Sequence, residues 1–207
     1  KYIDTTSGII HVPLDVVLVL DISGSMSVDG DGKRADNLVK AVNKTITYLM
    51  KEDENNRVAV VAYNTKATKI LPLGRYYVGS KADYSNTNSY FSVSKSSKND
   101  GYKKLDIGKI KNESTNNLTD KASKSIEVYG ATYIQDGIKQ GADILINEKT
   151  TTYTDSVSGQ KVTRTPNILL LSDGCPTLGN SDYKNLASNK KFGDGSCCGS
   201  ENTTDNN

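Results

Sequence analysis

The sequence has no tryptophan, and it has only one histidine and three cysteines. With His11 as the only imidazole, no Ser-His-Asp triad is available for nucleophilic catalysis. Cys175 and the adjacent pair Cys197 and Cys198 lack the short Cys-x-x-Cys spacing of zinc or thioredoxin-like sites. A single disulfide from Cys175 to either member of the pair and three unpaired thiols are equal alternatives.

An excess of one charge and a long apolar run are also missing. The 26 Lys and Arg against 24 Asp and Glu give a net charge of +2, too balanced to predict nucleic acid or an anionic membrane as a partner. No apolar run approaches the ~18 residues that a membrane-spanning helix needs. Residues 1–4 do not resemble a charged-then-apolar leader. We therefore expect one domain over residues 1–207, as a mature or excised piece of a longer protein.

Three short apolar runs, rich in β-branched residues, predict strands at residues 14–20, which run into Asp21, and at residues 57–63 and 167–171. Runs of this length without alternation are typical of parallel strands that are covered on both faces. Apolar residues at helical spacing predict a crossover helix over residues 36–50 and another after Thr132, and residues 69–73 predict a short edge strand. This order of elements predicts an α/β fold, a doubly wound and mostly parallel central sheet flanked by helices.

Two stretches carry little aliphatic pattern. Residues 76–129 are dominated by Ser, Asn, Lys and Tyr, and residues 179–207 are similar. A stretch of that length inside a compact domain is either disordered or a functional insertion. The tyrosines of residues 76–129 favour partial order and a recognition surface, whereas a solvated surface excursion is the alternative. We predict that residues 76–129 are an insertion within the domain.

Polar side chains follow the predicted strands where each strand ends. The first predicted strand runs into Asp21, Ser23 and Ser25, and the third runs into Asp173. Thr132 precedes the second predicted helix. These segments meet at one edge of the sheet, where open α/β sheets bind their ligands. Two carboxylates and three hydroxyls form an all-oxygen set, which suits a hard cation, Mg2+ in particular, with Mn2+ or Ca2+ as alternatives. Because hydroxyl ligands are neutral, the cation keeps much of its charge and favours a carboxylate from a partner.

Asp21-x-Ser23-x-Ser25, the later Thr132 and Asp173 together resemble the metal-ion-dependent adhesion site of von Willebrand factor A and integrin I domains. The resemblance covers residues 13–75 and 126–177. It implies that Ser23, Ser25 and Thr132 are direct ligands and that Asp21 and Asp173 bind directly or through water. The family has further strands after the Asp173 strand, and residues 184–207 supply no apolar strand, so the C-terminal part is predicted to be incomplete.

Residues 19–26 and 170–174 are most similar to A domains of Gram-positive surface and pilus-tip adhesins, which carry long insertions near the metal face. The resemblance implies a non-enzymatic adhesin domain on the cell wall or pilus, which binds an extracellular protein such as a host matrix component or receptor. It also implies that the chain is part of a larger surface protein or pilus. The alternatives are an intracellular A domain that couples to an ATPase partner and a structural pilus subunit whose insertion does the binding.

Two further hypotheses rest on single aspartates. An aspartyl phosphotransferase would also place an Asp at the end of the first strand, but it usually carries a second Asp two positions later, where this sequence has Ser23. Asp29 and Asp31 are candidates for a second cation, although the other ligands of a calcium loop are missing and a turn is the stronger interpretation.

Overall fold

The computed structural model describes residues 2–5, 8–28, 33–155, 158–174 and 176–177. The strands, in chain order, are β1 (Tyr2–Thr5), β2 (Gly8–His11), β3 (Leu14–Asp21), β4 (Arg57–Tyr63), β5 (Ala67–Gly74), β6 (Tyr76–Val78), β7 (Phe91–Lys95), β8 (Lys103–Ile107), β9 (Ile110–Asn112), β10 (Ser125–Val128), β11 (Thr152–Thr154), β12 (Lys161–Thr163) and β13 (Thr165–Leu171). The helices are α1 (Ser25–Val28), α2 (Arg34–Glu52) and α3 (Ile134–Ile146).

The central sheet has the strand order β13-β3-β4-β5. β13, β3 and β4 are parallel, and β5 returns antiparallel to β4 as the predicted edge strand. In register, Asp21 lies beside Tyr63 and Leu20 lies beside Leu171. The residues that directly follow β13 are therefore level with the end of β3, which gathers the polar loops at one edge of the sheet.

Each face of the sheet carries its own apolar core. Val16, Leu18 and Leu20 point to the face covered by α2. Val17 and Val19 point to the opposite face, where α3 packs. All five side chains are buried because successive residues of a strand point to opposite faces and both faces are covered. A central strand buried on both sides confirms the predicted doubly wound α/β fold.

The prediction that all three apolar strands are covered on both faces is wrong for β13. Ile168, Leu169 and Leu170 are 39%, 43% and 38% exposed. β13 is an edge strand in the part of the chain that the structure describes, with β3 on one side only. An edge strand has no neighbour to bury its outer flank, so apolar residues on both of its faces stay accessible.

Residues 76–129 fold into short antiparallel strands. β8 lies between β7 and β10, and β6 pairs with β9. Tyr76, Tyr90 and Phe91 are buried in the same core cluster as α2 and one face of the sheet. The Asn43 side chain on α2 donates to the carbonyl of Phe91 at 2.9 Å and accepts from its N–H at 3.0 Å. The order predicted from the tyrosines is confirmed, and the alternative of a solvated surface excursion is wrong.

Several sequence predictions concern residues outside the described ranges. These are the pairing of Cys175, Cys197 and Cys198, the role of Asp29 and Asp31, and the lack of a strand in residues 184–207. Within the described ranges, no helix is long and apolar enough to span a bilayer.

Candidate metal centre

Asp21 is fully buried at the end of β3. Its Oδ1 accepts a hydrogen bond from the backbone N–H of Ser23 at 2.9 Å. Its Oδ2 accepts the hydroxyl of Tyr63 at 3.0 Å and that of Ser172 at 2.8 Å. A buried carboxylate needs such donors or a cation, and no ion pair between described residues reaches Asp21. Its negative charge is therefore held by neutral donors alone within this part of the chain.

Tyr63 supplies one of these donors from the end of β4. Burial raises the pKa of its hydroxyl, and the Asp21 carboxylate raises it further. The phenol therefore stays protonated across the neutral range and donates to Asp21. Tyr63 ties the ends of β3 and β4 together below the site.

Ser23 and Ser25 follow β3 and lead into the single turn of α1. Their Oγ atoms are 3.1 Å apart. Ser23 is completely buried, and the Ser23 N–H bond to Asp21 fixes the turn between them. The structure thus places two hydroxyls side by side next to a carboxylate.

Thr132 reaches the same edge through backbone contacts. We call Ser23, Gly24 and Ser25 the serine motif. The N–H of Gly24 donates to the Gly130 carbonyl at 2.9 Å. Thr132 N–H donates to Oγ1 of Thr177 at 2.8 Å, and Thr177 N–H donates back to the Thr132 carbonyl at 3.0 Å. Thr132 itself is buried at 4% exposure. The segment before α3 and the segment after β13 are therefore hydrogen-bonded to each other. The segment before α3 is also hydrogen-bonded to the serine motif, through Gly130.

Asp173 follows β13, and only 10% of its side chain is exposed. Its Oδ2 accepts a hydrogen bond from Nη1 of Arg34 at 2.8 Å. Its Oδ1 is buried and has no hydrogen-bond partner among the described residues. An unpaired carboxylate oxygen in a buried position costs free energy unless a cation or water completes it.

These residues fit a hard divalent cation. The donor set is entirely oxygen, and one of its carboxylate oxygens is buried without a partner. No three His, Cys, Asp or Glu side chains come together among the described residues, so a cation here would depend on the serine and threonine hydroxyls. Mg2+ accepts such a set because it keeps several of its waters and needs few protein ligands.

Two tyrosines of the 76–129 segment lie next to the serine motif. The rings of Tyr102 and Tyr129 meet edge to face, with centroids 4.8 Å apart. A Cβ built on Gly24 would lie 3.5 Å from the Tyr102 ring, so this ring packs directly against the motif. Tyr129 is 45% exposed. The aromatic pair forms a rim beside the candidate site.

The same segment holds the helical turn that follows the serine motif. The Ser27 hydroxyl donates to the Val128 carbonyl at 2.7 Å and accepts the Lys103 N–H at 3.0 Å. The Lys103 ammonium also forms an ion pair with Asp36 at the start of α2. The position of α1 is thus fixed by β8 and β10, which belong to the 76–129 segment.

Sequence reasoning did not single out Tyr63, Ser172 or Arg34. Tyr63 and Ser172 stand at the carboxyl ends of β4 and β13, so the strand-end argument that selected Asp21 applies to them as well. The signal for Arg34 is its charge, since a cation in the first turn of a helix opposes the helix dipole.

The chain belongs to the von Willebrand factor type A domain family, whose model matches residues 15–193. The match includes all five residues of the candidate site. No curated protein matches the sequence.

Among solved structures, the chain is similar to three pilus proteins. The pilus adhesin SpaC of Lactobacillus rhamnosus GG, in its open conformation, is 19% identical with a TM-score of 0.44, over 81% of this chain and 15% of that chain. The adhesive tip pilin GBS104 of Group B Streptococcus agalactiae is 21% identical with a TM-score of 0.44, over 80% and 29%. The pilus adhesin RrgA of Streptococcus pneumoniae is 21% identical with a TM-score of 0.42, over 80% and 21%. The chain spans less than a third of each of these proteins.

Proposed function

We propose that this chain is a metal-dependent adhesion domain that binds an extracellular protein through a divalent cation, Mg2+ in the first instance. Ser23, Ser25 and Thr132 hold the cation with their hydroxyls, and Asp173 holds it directly or through water. The bound cation supplies a positive charge, and a carboxylate of the partner protein binds to that cation.

The observation that carries this proposal is the buried, unpartnered Oδ1 of Asp173. It lies on the loop that Ser172 joins to Asp21, and two adjacent hydroxyls follow Asp21 in the chain. A buried carboxylate oxygen without a donor, in a site lined by oxygen atoms, supports its assignment as a ligand position.

Asp21 has a supporting role in this proposal. Both lone pairs of its Oδ2 are used by Tyr63 and Ser172, and Oδ1 already accepts the Ser23 N–H. Little acceptor capacity is left for a direct bond, so Asp21 orients Ser23 and a cation-bound water. Its negative charge adds to the affinity for the cation.

The tyrosine rim supports a protein as the partner. Tyr102 and Tyr129 offer aromatic surface next to the carboxylate-binding position, and aromatic residues are enriched where proteins recognise one another. The resemblance of residues 19–26 and 170–174 to Gram-positive surface adhesins supports an extracellular place on a cell wall or pilus, within a larger protein. We propose no catalytic reaction, because Ser23 stands where a phosphotransferase carries its second aspartate.

Thermal unfolding in Mg2+ and in EDTA tests the metal site. At a hundred times its dissociation constant, the cation adds about 2.7 kcal/mol, and for a domain of this size that raises the Tm by roughly 5–10 °C. Ser25→Ala removes one ligand hydroxyl and should abolish the increase. Ser80→Ala, which changes an exposed serine in residues 79–89, is the control and should behave as the unaltered chain.

A Tm that is the same in Mg2+ and EDTA for the unaltered chain would contradict the proposal. An equal increase in Ser25→Ala would assign the cation to a different place. Adhesion is then tested by Mg2+-dependent binding of the chain to immobilised extracellular matrix proteins, with Ser25→Ala expected to lose binding while it still unfolds cooperatively in EDTA.

A further inference from the structure

Arg34 joins the candidate metal centre to α2. It is the first residue of that helix, and its Nη1 lies 2.8 Å from Oδ2 of Asp173. The two side chains differ in burial, with Arg34 43% exposed and Asp173 10% exposed. Arg34 therefore approaches a buried carboxylate from the solvent side.

Helix stability does not explain an arginine at this position. The N-terminal end of a helix carries partial positive charge, so a cation in the first turn is unfavourable and an acidic residue is preferred. Asp36 is the acidic residue of this turn, and it pairs with Lys103 of the 76–129 segment. The ion pair with Asp173 offsets the unfavourable interaction between the Arg34 charge and the helix dipole.

We propose that Arg34 competes with the divalent cation for Asp173. In the cation-free domain, Arg34 neutralises the carboxylate, which would otherwise be a buried charge without a partner. Arg34 contacts Oδ2 and the cation is proposed to bind at Oδ1, so the two compete for the negative charge of one carboxylate, and the Arg34 contact weakens when the cation binds. The inference rests on the proposed metal-binding function and adds a residue that sets the affinity of the site.

The exposure of Arg34 makes the exchange feasible. An ion pair with a half-exposed partner is weak and is screened by salt, so it changes an equilibrium by at most about fivefold. A competitor of that strength neutralises the Asp173 carboxylate when no cation is bound, and a cation at modest concentration displaces it. A fully buried arginine would instead block the site.

Arg34→Gln tests the competition, with Lys40→Gln as the control. Lys40 is an exposed lysine on the same helix, so this change removes one positive charge from α2 without touching Asp173. We expect Arg34→Gln to bind Mg2+ more tightly, by up to about fivefold in calorimetric titration at low ionic strength. Its Tm in EDTA should fall below that of the unaltered chain. Lys40→Gln should change the dissociation constant by much less.

Salt gives a second readout. The screening length falls from about 10 Å at 0.1 M to about 3 Å at 1 M, so the difference in Mg2+ affinity between the unaltered chain and Arg34→Gln should shrink as NaCl rises. Equal or weaker Mg2+ binding by Arg34→Gln would overturn the inference and leave the metal site standing. A chain that binds no Mg2+ at all would overturn the proposed function and this inference with it.

Discussion

At the scale of single residues, Asp21 shows how neutral donors hold a buried carboxylate at the candidate site. The carboxylate is fully buried and accepts from one backbone N–H and two hydroxyls. Donors to a charged group contribute more than donors between neutral groups. The donors differ in exposure, because Tyr63 is completely buried whereas Ser172 is exposed.

Tyr63→Phe should lower the free energy of unfolding by about 1–2 kcal/mol in EDTA. The ring stays in place, and the carboxylate loses a donor that water cannot easily replace in a buried position. Ser172→Ala should cost less, because its exposed position lets water take over the hydrogen bond. Urea denaturation of both variants measures the difference. An equal loss in the two would show that the burial of the donor does not matter.

The five ligand candidates could be selected from the sequence because each lies at or close to the end of a strand or the start of a helix. Arg34 could not be assigned to the site, since its contact with Asp173 joins residues 139 positions apart. A sequence pattern predicts where a strand or helix ends. It does not predict which side chain of a neighbouring helix contacts that end.

At the scale of elements, α3 approaches the sheet closely where it packs. A Cβ built on Gly137 would lie 2.6 Å from the Tyr63 ring and 3.0 Å from Val19. A Cβ on Gly141, one turn later, would lie 3.1 Å from Val19 and 3.3 Å from Val17. Tyr63 is held by its hydrogen bond to Asp21, so its ring cannot move away without disturbing the candidate metal centre.

Gly137→Ala should therefore destabilise the domain by about 1–3 kcal/mol through overpacking. Alanine favours a helix over glycine by about 1 kcal/mol, and Gly141→Ala should keep part of that gain because methyl groups can shift by a few tenths of an ångström. Chemical denaturation of the pair separates packing from helix propensity. A stabilised Gly137→Ala would mean that α3 can lift from the sheet at no cost.

The elements of the 76–129 segment illustrate what hydrophobic pattern misses. β7, β8 and β10 are only four or five residues long, and each contributes one or two buried apolar side chains to the core. Strands this short contain too few residues for their alternation of apolar and polar side chains to be distinguished from a loop sequence. β3 and β4, by contrast, could be predicted because almost every residue in them is buried.

At the scale of the whole molecule, the 76–129 segment and the central sheet share one core. Phe91, Leu105 and Ile107 belong to the same buried cluster as Leu18 and Ile46. Side chains that share a core lose their contacts together when either part unfolds. The segment that carries the tyrosine rim should therefore unfold with the domain, and the rim should keep a fixed position beside the candidate metal centre.

Hydrogen exchange checks this coupling. Amides of β8 should exchange about as slowly as those of α2, with an opening free energy near that of global unfolding, about 5–15 kcal/mol for a typical domain. Residues 79–89, which are mostly exposed and form no strand, serve as the internal comparison and should exchange much faster. Fast exchange throughout β8 would mean that the segment opens separately from the sheet. The rim would then recognise a partner by becoming ordered on binding, and its affinity would be reduced by that ordering cost.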